Sequence, residues 1–313
     1  MRKVIAVFVC LFAAALVFAG GRRDSAAPST LRFGLIGDTN SLPLILAEQQ
    51  GYFEQEGVQV QLIQFNNAQE RDAAIQAGQL DGVMSDLLAA AFLAAGGFDF
   101  RITSLTDGRY GIVASPQSGI TSAAQLRDRR IGLSVNTVIQ YTVDAQLGAI
   151  GIPMGEYETV AVPNQNIRLN MVLDGTVDAG GFPDPFLTAA VVQGAVLVST
   201  TDSVGVMPGV ILFSQRALNN RLEDVRAFYR VYYRAAQEIN ADPDTFRRQL
   251  VEHANFPEIV RDTFDFVTFS KPTMVPEQEI VNALDWLRRR DLLQAALSPA
   301  DLIDTRAINE WLN

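Results

Sequence analysis

A chain of 313 residues, 48% hydrophobic and 19% charged, can bury two ordinary cores and is not a disordered polymer. Its net charge of −10 weighs against nucleic acid as a partner, because phosphate binding needs a basic face. One cysteine, Cys10, rules out a disulfide framework.

Arg2 and Lys3 precede an apolar run over 4–19 that ends Val17-Phe18-Ala19 before Gly20. That is the pattern of a cleaved secretory signal, so residues 1–19 are expected to be removed. An uncleaved anchor is the alternative, since the run is near the lower limit for crossing a bilayer. Cys10 lies mid-run, the wrong place for a lipid-modified cysteine. The expected location is periplasmic or otherwise extracytoplasmic. Residues 20–30 are small and polar, as in a flexible leader.

The first expected strand is 31–36, followed by the polar turn Gly37-Asp38-Thr39-Asn40-Ser41. Ser41 is placed to N-cap the next helix, with Pro43 in its first turn. A strand over 58–65 leads to the turn Asn66-Asn67-Ala68-Gln69, a helix, and a short buried strand reaching Ser85 and Asp86. An alanine-rich helix (87–95) and a strand (100–105) follow. After Thr106-Asp107-Gly108-Arg109 the pattern restarts with a strand from Tyr110 to 115, a short helix (122–126) and a strand (130–135). The turn Ser134-Val135-Asn136-Thr137 then stands where residues 38–41 stand in the first half. A helix (139–150), a strand (157–162), the turn 164–166, another helix–strand pair and a helix (185–193) complete this unit. A break over 202–208 precedes a strand (210–214). The remainder is expected to be helical: 222–240, 243–254, 257–266 and 277–290.

Two segments are copies of one another. RDAAIQAGQLDGVMSD (71–86) and RLNMVLDGTVDAGGFP (168–183) share an opening Arg, a Gly seven residues on and an Asp ten on. Each reads as a helix stopped by a glycine, a tight turn and a buried strand, the αβ half of a βαβ unit. The expectation is two α/β lobes joined by crossovers near 106–109 and 203–208, with lobe 1 from 31–108 and 207–313 and lobe 2 from 109–206.

Catalytic chemistry finds little support. The lone His253 lies late in a helical stretch, where it reads as a helix-end residue and not as a base. No Ser-His-Asp set, P-loop, GxGxxG fingerprint or metal-ligand spacing is visible. The remaining signal is a set of polar turns at strand ends, where parallel α/β sheets bind ligands. The candidate ligand-binding residues are Asp38, Thr39, Asn40, Ser41, Asn67, Ser85, Asp86, Tyr110, Asn136, Thr137, Phe182 and Asp184. Ser41, Asp86 and Asp184 could equally be helix N-caps, and Tyr110 a core residue. The pattern places no arginine or lysine on this rim: Arg71 and Arg168 fall within helices, and Arg109 at a crossover. Carboxylates with aromatic walls suit a neutral or cationic, nitrogen-bearing, partly planar ligand.

The segments LPLILAEQQGYFEQEGVQVQL, AIQAGQLDGVMSDLLAA, ITSAAQLRDRRIGLSVNT, NMVLDGTVDAGGFPDPF and PGVILFS, in this order, resemble the SsuA/THI5-like (NMT1) family, solute-binding proteins of ABC importers. The resemblance runs over 31–250. It implies a type II periplasmic-binding-protein fold, a small-molecule solute, an ABC permease as membrane partner, a monomer, and no metal or cofactor. Where the family often has a Trp-Glu-Pro-like element this chain has Pro183-Asp184-Pro185, which implies an Asp184 contact to an amino or ring N–H group. Members bind sulfonates, nitrate, pyrimidines and other solutes, so the resemblance leaves the ligand open. A sensor for a membrane signalling protein and a pyrimidine-precursor enzyme are the alternatives; the histidine and cysteine-rich motif of the yeast-type enzymes have no match here.

Overall fold

A computed structural model describes residues 30–312. The expected signal segment and nearly all of the leader lie outside the described residues. The chain builds two mixed five-stranded sheets of the same plan.

Sheet 1 takes β1 (Leu31–Ile36), β2 (Val60–Phe65), β3 (Gly82–Asp86), β4 (Phe100–Leu105) and β10 (Gly209–Ser214), in the order β2-β1-β3-β10-β4. Sheet 2 takes β5 (Tyr110–Ala114), β6 (Arg130–Leu133), β7 (Glu158–Ala161), β8 (Ala179–Pro183) and β9 (Val196–Thr200), in the order β7-β6-β8-β5-β9. In each, three strands run parallel and the fourth position is antiparallel to both neighbours. That fourth strand follows a passage between the sheets, once over 106–109 and once over 205–208.

Both faces of sheet 1 are covered, so its inner strands β3 and β10 are buried along their whole length. Ile211 and Phe213 of β10 join Phe33 and Leu35 beneath α1 (Leu42–Gln49) and α10 (Leu222–Ala241). Val210 and Leu212, on the opposite face, pack with Val83 against α4 (Leu87–Ala95) and α12 (Glu277–Arg289). Gly82 admits this packing, because a Cβ there would stand 2.5 Å from the Phe213 ring. On sheet 2, α5 (Val138–Gly148) covers one face, and α6 (Gln165–Leu173) and α7 (Phe186–Val192) the other.

The duplicated segments become α3 (Ala68–Gln76) with β3, and α6 with β8. Gly78 and Gly175 follow the helices at φ +69° and +79°, the left-handed stop that glycine permits at little cost. Asp81 and Asp178 then hold the turns by accepting the backbone N–H of Arg32 (3.0 Å) and Arg130 (2.8 Å).

Three expectations change. Residues 257–266 form only a short 3₁₀ turn, Glu258–Val260. Phe256, Phe264 and Phe266 stack edge to face there, and that packing outweighs the weak helical preference of a segment containing Ile, Val and Thr. Between 193 and 208 the chain adds β9 and a short helix, α8 (Thr201–Val204), capped by Thr200. Ser41 makes no side-chain cap; its hydroxyl donates back to the Ile36 carbonyl at 2.6 Å.

Candidate functional site

All six parallel strands aim their carboxyl ends at one place. The turns after β1, β2 and β3 and those after β6, β7 and β8 line a cavity of about 110 Å³ between the sheets. It continues outward into a wider mouth of about 740 Å³ that shares Gly37, Asn67, Pro163 and Phe186 with it. Helix starts gather at the same rim. Asn67 caps α3, Asp86 caps α4, Thr137 caps α5 and Asn164 caps α6, each side chain accepting backbone N–H groups.

Lobe 1 contributes Asp38, Asn67, Arg71, Ser85 and Asp86 to the wall; lobe 2 contributes Tyr110, Ser134, Thr137, Gln165, Arg168 and Phe186. Asp86 is buried, and its Oδ1 accepts from the N–H groups of Leu88 and Ala89, both at 3.0 Å. Its other oxygen lies 3.8 Å from Nη2 of Arg71. Arg71 also reaches the Met84 carbonyl (3.1 Å) and the Asp72 carboxylate (2.8 Å).

Burial pushes the Asp38 carboxyl up to about 6, against the opposing pull of its bonds from Asn40 and Ser41 and of the Arg71 charge. Desolvation also raises Asp86, offset by Arg71 and by the capping N–H groups. The Tyr110 phenol is raised by its own burial first, and then by the charges of Asp38 and Asp86. It therefore stays a neutral hydroxyl facing two carboxylates.

Arg168 stands apart. The side chain is fully buried, its stem packed over Gly132 and its guanidinium 4.8 Å from the centre of the Phe182 ring. Nη1 donates to the Val162 carbonyl at 2.7 Å, whereas Nε and Nη2 have no partner. Burial alone, with no acid beside it, pulls the group down to about 10, so it remains charged at neutral pH. Three further buried atoms of cavity-lining residues lack a hydrogen-bond partner: the Ser85 hydroxyl, Oε1 of Gln165, and Nη2 of Arg71, which has the Asp72 carboxylate as its ion-pair partner instead.

Of the twelve residues expected from sequence, Asp38, Asn67, Ser85, Asp86, Tyr110 and Thr137 line the cavity. The other six do not. Thr39, Asn40 and Ser41 turn into the protein behind Asp38. Asn136 is solvent-exposed, at φ +58°, and accepts from Arg290. Phe182 lies beneath Arg168. Asp184 is sealed in: Oδ2 takes the Arg109 Nε–H at 2.6 Å, and Oδ1 takes both the N–H (3.0 Å) and the hydroxyl (2.6 Å) of Thr188. Its carboxylate is thus committed to the crossover and to α7, and it does not line the cavity.

The expectation of a rim without arginine is also corrected. Arg71 and Arg168 lie four residues after their N-caps, which turns both side chains from the first helical turn toward the strand ends. The available signal was the arginine that opens each repeat copy.

The model of the NMT1/THI5-like family matches residues 38–246. A 4-amino-5-hydroxymethyl-2-methylpyrimidine phosphate synthase of Schizosaccharomyces pombe is 25% identical over 143 residues, 44% of this chain and 40% of that protein. The chain thus spans less than half of that relative. A Brachyspira hyodysenteriae protein provisionally named an ABC transporter periplasmic binding protein is 20% identical over 277 residues, 80% of this chain and 79% of that one. Among solved structures, the periplasmic aliphatic sulphonate binding protein SsuA of Escherichia coli superposes with a TM-score of 0.78 at 14% identity, covering 89% of this chain and 93% of that one. The fold is therefore that of periplasmic binding proteins, two α/β lobes built on one plan. By its family match the chain belongs to the NMT1/THI5-like family.

Proposed function

We propose that this protein is a non-enzymatic, extracytoplasmic receptor that captures a small solute between its lobes and delivers it to the permease of an ABC importer. The observation that carries this reading is the cavity itself: six parallel strand ends from two sheets converge on it, and both lobes supply polar atoms without protein hydrogen-bond partners. Its titratable groups are two carboxylates, two guanidiniums and a phenol, a set suited to holding a polar solute. Ligand contacts to both walls favour a closed arrangement, so that closure follows from differential affinity. On this reading the lobes, 31–108 with 207–313 and 109–206, move as units about the two crossovers.

The nitrogen-bearing part of the expected ligand is supported by Asp38 and Asp86, acceptors for N–H groups, with Tyr110 and Phe186 as flat walls. Native mass spectrometry of protein purified from its own host, joined to small-angle scattering, tests the proposal. A co-purifying small solute, whose removal expands the molecule and whose return compacts it, is the expected result. Chemical turnover of that solute by the purified protein would replace the receptor reading with an enzymatic one.

A further inference from the structure

The duplicated helix–strand units allow the two walls of the cleft to be compared position by position. Each copy opens with an arginine on the first turn of its helix, and each arginine donates Nη1 to a backbone carbonyl: Arg71 to Met84, Arg168 to Val162. In the first copy the charge is answered twice, by Asp72 one residue on and by Asp86 fifteen residues on. In the second copy the same two positions are Leu169 and Pro183. The fold thus keeps the arginine in both lobes and keeps its counterions in only one.

The consequence is a polarised cleft. Among the described residues that line the cavity, lobe 1 supplies Asp38 and Asp86 around Arg71, whereas the only charged residue from lobe 2 is Arg168. A fully buried guanidinium with two unpartnered N–H-bearing nitrogens is destabilising, because a charge taken out of water needs an opposite charge and hydrogen bonds to answer it. Its planar fork, with Nε and Nη2 unpartnered at the cavity wall, matches an oxyanion.

We propose that the solute is a small zwitterion set across the cleft, its oxyanion paired with Arg168 of lobe 2 and its N–H-bearing end on Asp38 and Asp86 of lobe 1. The inference rests on the receptor reading above and deepens it by naming the ligand class. The anionic group supplies what Asp72 and Asp86 supply to Arg71, and it arrives only with the ligand. Lobe 2 then gains its missing counterion when the cleft is filled, which makes Arg168 a determinant of charge specificity.

The test is a thermal-shift screen followed by calorimetry with three matched sets: zwitterions (2-aminoethanesulfonate, β-alanine), anions without the amine (ethanesulfonate, propionate), and nitrogenous compounds without the anion (ethanolamine, 4-aminopyrimidine). Zwitterions are expected to stabilise the protein most. Arg168→Gln is expected to weaken their binding at least tenfold, and Arg168→Lys to restore part of it. Pro183→Asp, which installs in lobe 2 the acid that lobe 1 carries at Asp86, is expected to block the zwitterions and raise the melting temperature of the empty protein. Arg168→Met, which keeps the stem over Gly132, should melt no lower than the wild type without ligand. If only the anion-free set binds, with equal affinity in Arg168→Gln, the proposal fails and the receptor reading stands. If none of the three sets binds and scattering shows no closure, both fail together. A large drop in the ligand-free melting temperature of Arg168→Met, with zwitterion binding intact, assigns the arginine to the core and overturns the proposal.

Discussion

Trp286 donates its indole N–H to Oδ2 of Asp144 at 2.8 Å, and this bond joins the C-terminal helix of lobe 1 to helix α5 of lobe 2. Oδ1 of the same carboxylate takes the Tyr157 hydroxyl at 2.6 Å, and Arg290 stacks over the indole ring 4.0 Å from Oδ2. The C-terminal segments hold both crossovers as well. Glu279 accepts from the N–H of Met207, and Ser270 donates to Asp107. A helix added after the two duplicated halves thus ties one to the other, at a point separate from the cavity wall.

Replacing Trp286 with Phe keeps the ring and leaves one oxygen of a buried carboxylate without its donor. The expected loss is about 1–3 kcal/mol of stability, read from chemical denaturation. Desolvation already raises Asp144, and the bonds from Tyr157 and Trp286 oppose it, so the variant should also raise that carboxyl further. Carboxyl titration followed by NMR checks this second effect.

Asp184→Ala is expected to act on folding before it acts on ligand. The change leaves Arg109, which is mostly buried, facing an empty space where its partner stood. Breaking a buried pair by removing one member costs about 3–5 kcal/mol, and the Thr188 bonds are lost with it. Denaturant midpoints measure the loss; Asp184→Asn, which keeps an acceptor, should lose less.

Asp38 sets a pH dependence. Its folded value of about 6 lies above the ordinary 3.8, so the folded protein holds the proton more tightly than the unfolded chain. Stability should therefore fall as pH rises from about 4 to about 6, on the order of 1–3 kcal/mol, and level off above that window. Asp38→Asn should flatten this region and leave the empty protein more stable at pH 7 than the wild type. Binding of an N–H-bearing solute should run the other way, weakening as pH falls through 6, because protonation removes an acceptor. Melting curves and calorimetry across pH 4–8 separate the two.

Ser85→Ala removes a buried hydroxyl that has no protein partner. A group required only for folding would be missed; an unsatisfied one is not. The empty protein is expected to gain up to about 1 kcal/mol, while solute affinity falls severalfold. A loss of stability with unchanged affinity would assign Ser85 to the core.

The doubling of the fold was legible in the chain because its cause is local. A glycine can end a helix through its own backbone freedom, as Gly78 and Gly175 do, and an apolar run between turns becomes a buried strand, so 71–86 and 168–183 announce two equivalent αβ units. The strand-end turns followed from that, which is why Asp38, Asn67, Ser85, Asp86, Tyr110 and Thr137 were within reach. Tertiary structure decided which neighbours in the chain share a wall. Residues 38–41 form a single turn, yet only Asp38 faces the cavity, while Ser41 folds back on the Ile36 carbonyl. Asp184 looked like a ligand contact because nothing in its own segment shows that Arg109, 75 residues earlier, will take its charge. Arg71 and Arg168 were hidden as ordinary helix residues, since the direction of a side chain depends on which face of the helix the sheet covers. Charge pairing across long sequence separations carries no local signature; it exists only once the strands are in order.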